Sequence, residues 1–140
     1  MNTYSPDLLA VLVAGLLPLA VGAIWYGPLF GKRWLEMMGK TEDEIKADFN
    51  PLKAYGISFI MALIMGYVLA HVLQAWDDAY AITGWAAGMQ GAFWSWLGFV
   101  VTIGYQSMAW EGKKLGLFAL NMAYNLVVLL GMGAILGVWR

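Results

Sequence analysis

LLAVLVAGLLPLAVGAIWYGPLF, Leu8–Phe30, runs without a formal charge. The hydrocarbon core of a bilayer is about 30 Å thick, and about 20 apolar residues cross it as a helix. This stretch is long enough. Segments such as Leu8–Val13 are solidly apolar rather than alternating, which argues against a transmembrane barrel strand. A soluble domain rarely holds one such run. This chain of 140 residues holds four, the others being Ala54–Trp76, Ala79–Trp110 and Leu115–Trp139. The reading is an all-α membrane protein, a four-transmembrane-helix bundle that forms a single membrane domain over residues 1–140. Its helices are expected at about 7–30, 52–76, 83–110 and 115–139, and its first partner is the lipid bilayer.

The charges between the runs orient them. Lys32, Arg33, Lys40, Lys46 and Lys53 separate the first two runs, and Lys113 and Lys114 the last two, whereas the other side has only Arg140. Basic residues collect on the cytoplasmic side. Loops 31–51 and 111–114 are therefore expected in the cytoplasm and both termini outside, as for a multi-pass protein of a cytoplasmic membrane. A net charge of −1 gives no reason to expect a nucleic-acid partner. The absence of cysteine removes disulfides, thiolate metal sites and cysteine nucleophiles. Met1–Asp7 has no Lys or Arg, unlike the basic start of a secretory signal, so the first run is expected to stay as a helix.

Local signals refine each span. Asp7 is placed to cap the first helix. Pro18, near its midpoint, removes a backbone donor and predicts a kink. Gly15, Pro18, Gly22 and Trp25 share one face. In the long polar loop, Thr41-Glu42-Asp43-Glu44 reads as a capping box, followed by a short amphipathic helix to about Phe49 with Ile45 and Phe49 on its apolar side. That helix suits the membrane surface or a soluble partner. In the second span Ser58, Ala62, Gly66 and Ala70 recur every four residues. In the third, Gly84, Gly88, Gly91, Ser95, Gly98 and Thr102 form a heptad stripe of small residues, which marks this span as the central packing element. Trp94 and Trp96 lie mid-span and are expected to fill space between helices. In the fourth, Gly116, Ala119, Ala123, Gly133, Ala134 and Gly137 share one broad side, opposite Asn121, Asn125 and Met132. Two faces that prefer protein to lipid on one helix point to a homo-oligomer or a membrane-protein partner.

Polar residues inside a membrane are costly, so they are the candidates for function. At the depth of the basic loops lie Asn121, Asn125, Gln106, Ser107, Tyr26, Tyr55, Ser58 and Tyr124. An asparagine there offers a donor and an acceptor. It serves as interhelical glue, at about 0.6 kcal/mol per contact, or as part of a ligand or ion site. Near the other surface, His71 and Gln74 are three apart, beside Tyr67, Asp77 and Asp78. Three roles stay open for the histidine: interface, proton relay or polar-substrate site, and metal ligand across an oligomer axis. The last is weak with one histidine and no cysteine, so neither a metal nor any other cofactor is expected. Catalysis has thin support, because no carboxylate lies inside a span and no Gly-rich phosphate loop precedes a helix.

Three stretches carry a resemblance. Trp25-Tyr26-Gly27-Pro28-Leu29-Phe30-Gly31-Lys32-Arg33-Trp34, Met65-Gly66-Tyr67-Val68-Leu69-Ala70-His71 and Gly131-Met132-Gly133-Ala134-Ile135-Leu136-Gly137 resemble a bacterial membrane family, domain of unknown function 1761. The likeness implies a four-helix protein of the bacterial cytoplasmic membrane and supplies no activity. Where it leads one to expect a histidine after the tyrosine of the fourth helix, this chain has Asn125. Three function classes follow: an oligomeric structural or accessory subunit acting through helix packing; a channel, transporter or binder for a small solute or lipophilic ligand; and, with least support, a membrane enzyme.

Overall fold

The computed structural model describes residues 4–139. Arg140, the one basic residue counted on the far side, and Met1, Asn2 and Thr3 lie outside the described residues. Four helical stretches are long and apolar enough to cross a membrane: Leu8–Leu29, Pro51–Tyr80, Trp85–Glu111 and Leu115–Val138. The described residues contain no strand. The chain is an all-α, multi-pass membrane protein, as its uncharged runs require.

The first span is α1 (Leu8–Ile24) followed by a π-helical turn, Trp25–Leu29. Asp7 caps it by accepting from the N–H groups of Leu9 (2.9 Å) and Ala10 (3.1 Å). The helix runs on through Pro18, and the departure from helical geometry comes later, at Gly27 (φ −110°, ψ −106°). Pro28 explains it. Proline has no N–H for the carbonyl four residues back, so the ladder widens. Phe30 N–H reaches the Trp25 carbonyl, five residues back, at 2.9 Å.

Two short helices fill the polar loop. The second, α3 (Glu42–Ala47), is the expected one, capped by Thr41 Oγ1 on the Glu44 N–H at 3.2 Å. The first, α2 (Gly31–Met38), was not read from the sequence. Its signals are a run of Trp34, Leu35, Met37 and Met38 and a left-handed Gly39 (φ 70°) that ends it. It docks on the start of the fourth span, where Met37 Sδ lies 2.9 Å from the position of a Cβ on Gly116.

The second span, α4 (Pro51–Tyr80), is capped by Asn50 and extends past Trp76, so Asp77 and Asp78 lie in its last turn rather than in a loop. The third span is interrupted: α5 (Trp85–Ser95), a π-helical segment (Trp96–Val101) and α6 (Thr102–Glu111). The fourth is unbroken, α7 (Leu115–Val138).

α7, not the third span, is the central element, packing on α5, α6, α1, α4 and α2. The core gathers Ala10, Val11 and Ala14 of α1, Leu69, Ala70 and Leu73 of α4, Ala92 of α5, and Val128, Leu129, Met132 and Leu136 of α7. Small side chains let the backbones close, and α5 and α7 meet most tightly. A Cβ on Gly88 would collide with the Gly133 carbonyl, and one on Gly137 with the Gly84 carbonyl.

The heptad stripe does not act as one seam. Gly88 faces α7, while Gly91 faces Leu73 and Trp76 of α4, so α5 is wedged between two helices. Beyond Ser95 the stripe turns outward. Gly98 meets open space, and Gly98 and Thr102 are exposed. The cause is the π-helical segment, whose wider turn rotates every later residue relative to α-helical register. Trp94 also departs from expectation, being 50% exposed, whereas Trp96 packs on the core and its Nε1 donates to the Met122 carbonyl at 2.9 Å. Residues two apart on a helix point to nearly opposite sides, so both could not fill the same interior.

Candidate functional site

The end of the first span brings five aromatic residues together. Tyr26 stacks edge-on against Trp34 (5.6 Å) and Tyr124 (5.1 Å), and Trp25 packs on Phe30 (4.7 Å) and Tyr124 (6.4 Å). Two hydroxyls anchor this group to the bundle. Tyr26 Oη donates to Asn121 Oδ1 at 2.7 Å, and Tyr124 Oη donates to the Pro18 carbonyl at 2.9 Å. Both bonds join the first span to α7. The Trp25 indole Nε1 is buried with no hydrogen-bond partner among the described residues.

Beside this anchor, the first and second spans part to leave a cleft of about 430 Å³. Its size falls within the roughly 300–1,000 Å³ of small-molecule sites. Leu19, Ile57, Met61 and Met65 make its walls apolar. Tyr26, Tyr55, Ser58, Tyr124 and Asn125 supply its polar groups. Thus five of the eight polar residues read at this depth share one cleft, and Asn121 stands behind it through Tyr26. Gly22 makes room on the α1 side, since a Cβ there would lie 3.2 Å from the Tyr124 hydroxyl.

The other two do not join. Ser107 lines a separate cavity of about 80 Å³ with Asn121, Gly104 and Lys113, and Gln106 is exposed on the outer surface of α6. Depth along each helix was legible in the sequence; direction around the axis was not, because the π-helical segment re-aims α6. α2 and α3 line a second cleft, of about 530 Å³, next to the first. Gly31, Lys32 and Trp34 of α2 meet Glu42, Ile45 and Lys46 of α3 there, with Phe49 beyond. This region escaped the sequence reading because α2 did.

The second polar group stays at the far end of α4. His71 is exposed, and its Nδ1 lies 2.9 Å from the Tyr67 carbonyl, which needs the proton on Nδ1. The Tyr67 and Tyr4 rings flank it at 4.8 Å and 5.2 Å. Gln74 Nε2 donates to Asp78 Oδ1 at 3.0 Å, and Asp77 is buried. His71 and Gln74 line neither of these two clefts; their neighbour Tyr67 lines a separate, apolar cleft of about 480 Å³ with Leu8, Leu12 and Ile64.

The chain matches the family described as Protein of unknown function (DUF1761) over residues 9–137 and belongs to it. No curated protein and no solved structure matches it.

Proposed function

We propose that this member of an uncharacterised membrane family binds a lipophilic ligand taken sideways from the bilayer between its first and second spans. One observation carries the reading: the cleft whose walls are apolar and whose floor holds the Tyr124 and Tyr26 hydroxyls and Asn125. A concave apolar pocket with a few convergent polar groups is the usual form of a small-molecule site. Both polar anchors fix the first span to α7, so that side of the cleft is pre-formed. It reaches from the span ends to Pro18 and Met65, near mid-membrane, which suits a held ligand better than a through-path. In this proposal the protein sits in a bacterial cytoplasmic membrane with both termini outside, and the cleft opens to the inner leaflet.

Ser58→Trp tests it. Ser58 is exposed and lines the cleft, so a large side chain there fills the space without disturbing the core. Lipophilic molecules that copurify with the protein, read by native mass spectrometry, should fall about tenfold in this variant. Unchanged retention would remove the cleft from consideration.

An oligomeric structural or accessory subunit is the second reading, and a specific observation favours it. Gly98, Thr102 and Gln106, four residues apart, form an exposed small and polar stripe on the third span. Such a stripe in lipid suits another helix, of a second copy or of a different membrane protein. The two faces of α7 argue for it less, since α1, α4, α5, α6 and α2 of the same chain pack on this helix, although Gly116 and Ala119 stay exposed. Gly98→Leu should shift the assembly in lipid nanodiscs toward monomer; equal mass distributions for the two proteins would count against this reading.

A further inference from the structure

Tyr26 and Tyr55 line both clefts, so the two meet at this pair of rings. Their chemistries differ. On one side the walls are those of the membrane interior. On the other they carry Lys32, Trp34, Glu42 and Lys46, beyond the ends of the spans. Tryptophan and lysine together are characteristic of the level of lipid head groups.

Length matches this division. From Pro18 to Tyr26 the first span rises about 12 Å, and from Tyr55 to Met65 α4 rises about 15 Å, at ~1.5 Å per residue. That is about half of the ~30 Å hydrocarbon core, the depth of one leaflet. A slot of this length and volume admits a hydrocarbon chain standing parallel to the helices. Its upper end then meets the tyrosines.

Charge selects the head group. Lys46 Nζ and Glu42 Oε1 neutralise each other at 2.8 Å. Lys32 takes part in neither of the ion pairs formed by the described residues. The second cleft therefore keeps one uncompensated positive charge. Resting on the binding role proposed above, we infer that the occupant is a single-chain amphiphile with a monoanionic head. Its chain lies in the cleft of the spans, and its head lies against Lys32 between α2 and α3. Tyr26 and Tyr55 flank the junction; the Tyr55 hydroxyl can donate to the head there, whereas the Tyr26 O–H is already given to Asn121.

The test uses the full chain in phosphocholine vesicles and diazirine-bearing probes of equal chain length. One probe is a long-chain carboxylate, one is the matching uncharged alcohol, and one is a two-chain anionic phospholipid. The carboxylate should label the Met61–Met65 segment about fivefold more than the alcohol, the scale of one partly exposed ion pair. Lys32→Gln should abolish that preference, and Lys32→Arg should keep it. Lys32 is exposed, so neither change threatens the fold. Equal labelling by carboxylate and alcohol, both blocked by Ser58→Trp, would overturn the head-group assignment and leave the binding role standing. Labelling by the two-chain lipid as strong as by the carboxylate would overturn the single chain. Labelling that ignores Ser58→Trp altogether would overturn both, the probe then being ordinary boundary lipid.

Discussion

Tyr26 and Tyr124 each carry a hydroxyl to another helix, but the groups they meet differ. Tyr26 supplies the donor recorded on Asn121 Oδ1, so Tyr26→Phe leaves a half-buried amide oxygen without it and should cost about 1–3 kcal/mol. Tyr124 donates to the carbonyl of Pro18, a group already inside a helix. Tyr124→Phe should cost less, near the ~0.6 kcal/mol average for interhelical bonds in membranes. Reversible unfolding in mixed micelles would rank the two, and the opposite order would contradict the assignment. In α3, the hydrogen bond and charge of Lys46 hold the Glu42 carboxyl below the usual carboxylate range, and Glu42 holds Lys46 above its ordinary value. A depressed carboxylate contributes above its unfolded pKa and loses that contribution as pH falls through its folded pKa. The raised lysine contributes below its unfolded pKa and loses its part as pH rises through its folded one. Helix α3 should therefore fray in acid, slightly, since both groups are exposed. NMR titration should show the Glu42 midpoint move up in Lys46→Gln.

At the scale of elements, glycines of one sequence pattern divide by what faces them. Gly88 lies against the backbone of α7, and a backbone carbonyl cannot swing aside as a side chain can. Gly88→Ala should force α5 and α7 apart and cost about 1–3 kcal/mol, the range for overpacking. Gly98 faces open space, so Gly98→Ala should be neutral or slightly stabilising in a monomer. Thermal melts of the two variants in one detergent check the contrast; similar losses would mean that the stripe packs as a single seam. The π-helical segment, which begins between them at Trp96 and contains Gly98, makes the difference. Ser95 Oγ donates to the Gly91 carbonyl at 2.9 Å and Thr102 Oγ1 to that of Gly98 at 2.7 Å, so hydroxyls serve backbone carbonyls on both sides of the irregular turn. The same holds at Pro28, where a residue that cannot donate widens the last turn of the first span and turns the chain into α2.

For the whole molecule, seven of eight basic residues lie in or beside the two segments that join the first span to the second and the third to the fourth. Cysteine labelling of intact cells should reach a residue introduced ahead of Asp7 but not one at Glu42 or Lys113. Reaction at position 42 from outside would reverse the orientation and place the cleft in the other leaflet. The surface agrees with a lipid setting. Large apolar side chains such as Leu12, Leu16, Ile60, Ile64, Phe99 and Ile103 are exposed, while alanines and glycines fill contacts between helices. Lipid gives such side chains no reason to turn inward, so close packing of small residues is what holds the helices together.

The sequence by itself determined four helices, their approximate depths and the loops that join them. Those follow from local rules: a run of uncharged residues long enough for a bilayer, and a backbone that must satisfy its own hydrogen bonds in lipid. It also put Tyr26, Tyr55, Ser58, Tyr124 and Asn125 in the half of the spans next to the basic loops, because rise per residue is a property of the helix alone. Only the tertiary structure decided that these five share a cleft while Gln106 faces outward. Rotation about each axis depends on neighbours and on irregular turns, and one extra residue in a turn re-aims everything beyond it. The central place of α7 was decided in the same way. The stripe on the third span looked like a seam because its spacing is regular, yet which helix meets each glycine is settled by contacts between segments far apart in the chain. The second cleft waited on α2, whose short apolar pattern carries weight only once it packs on α7.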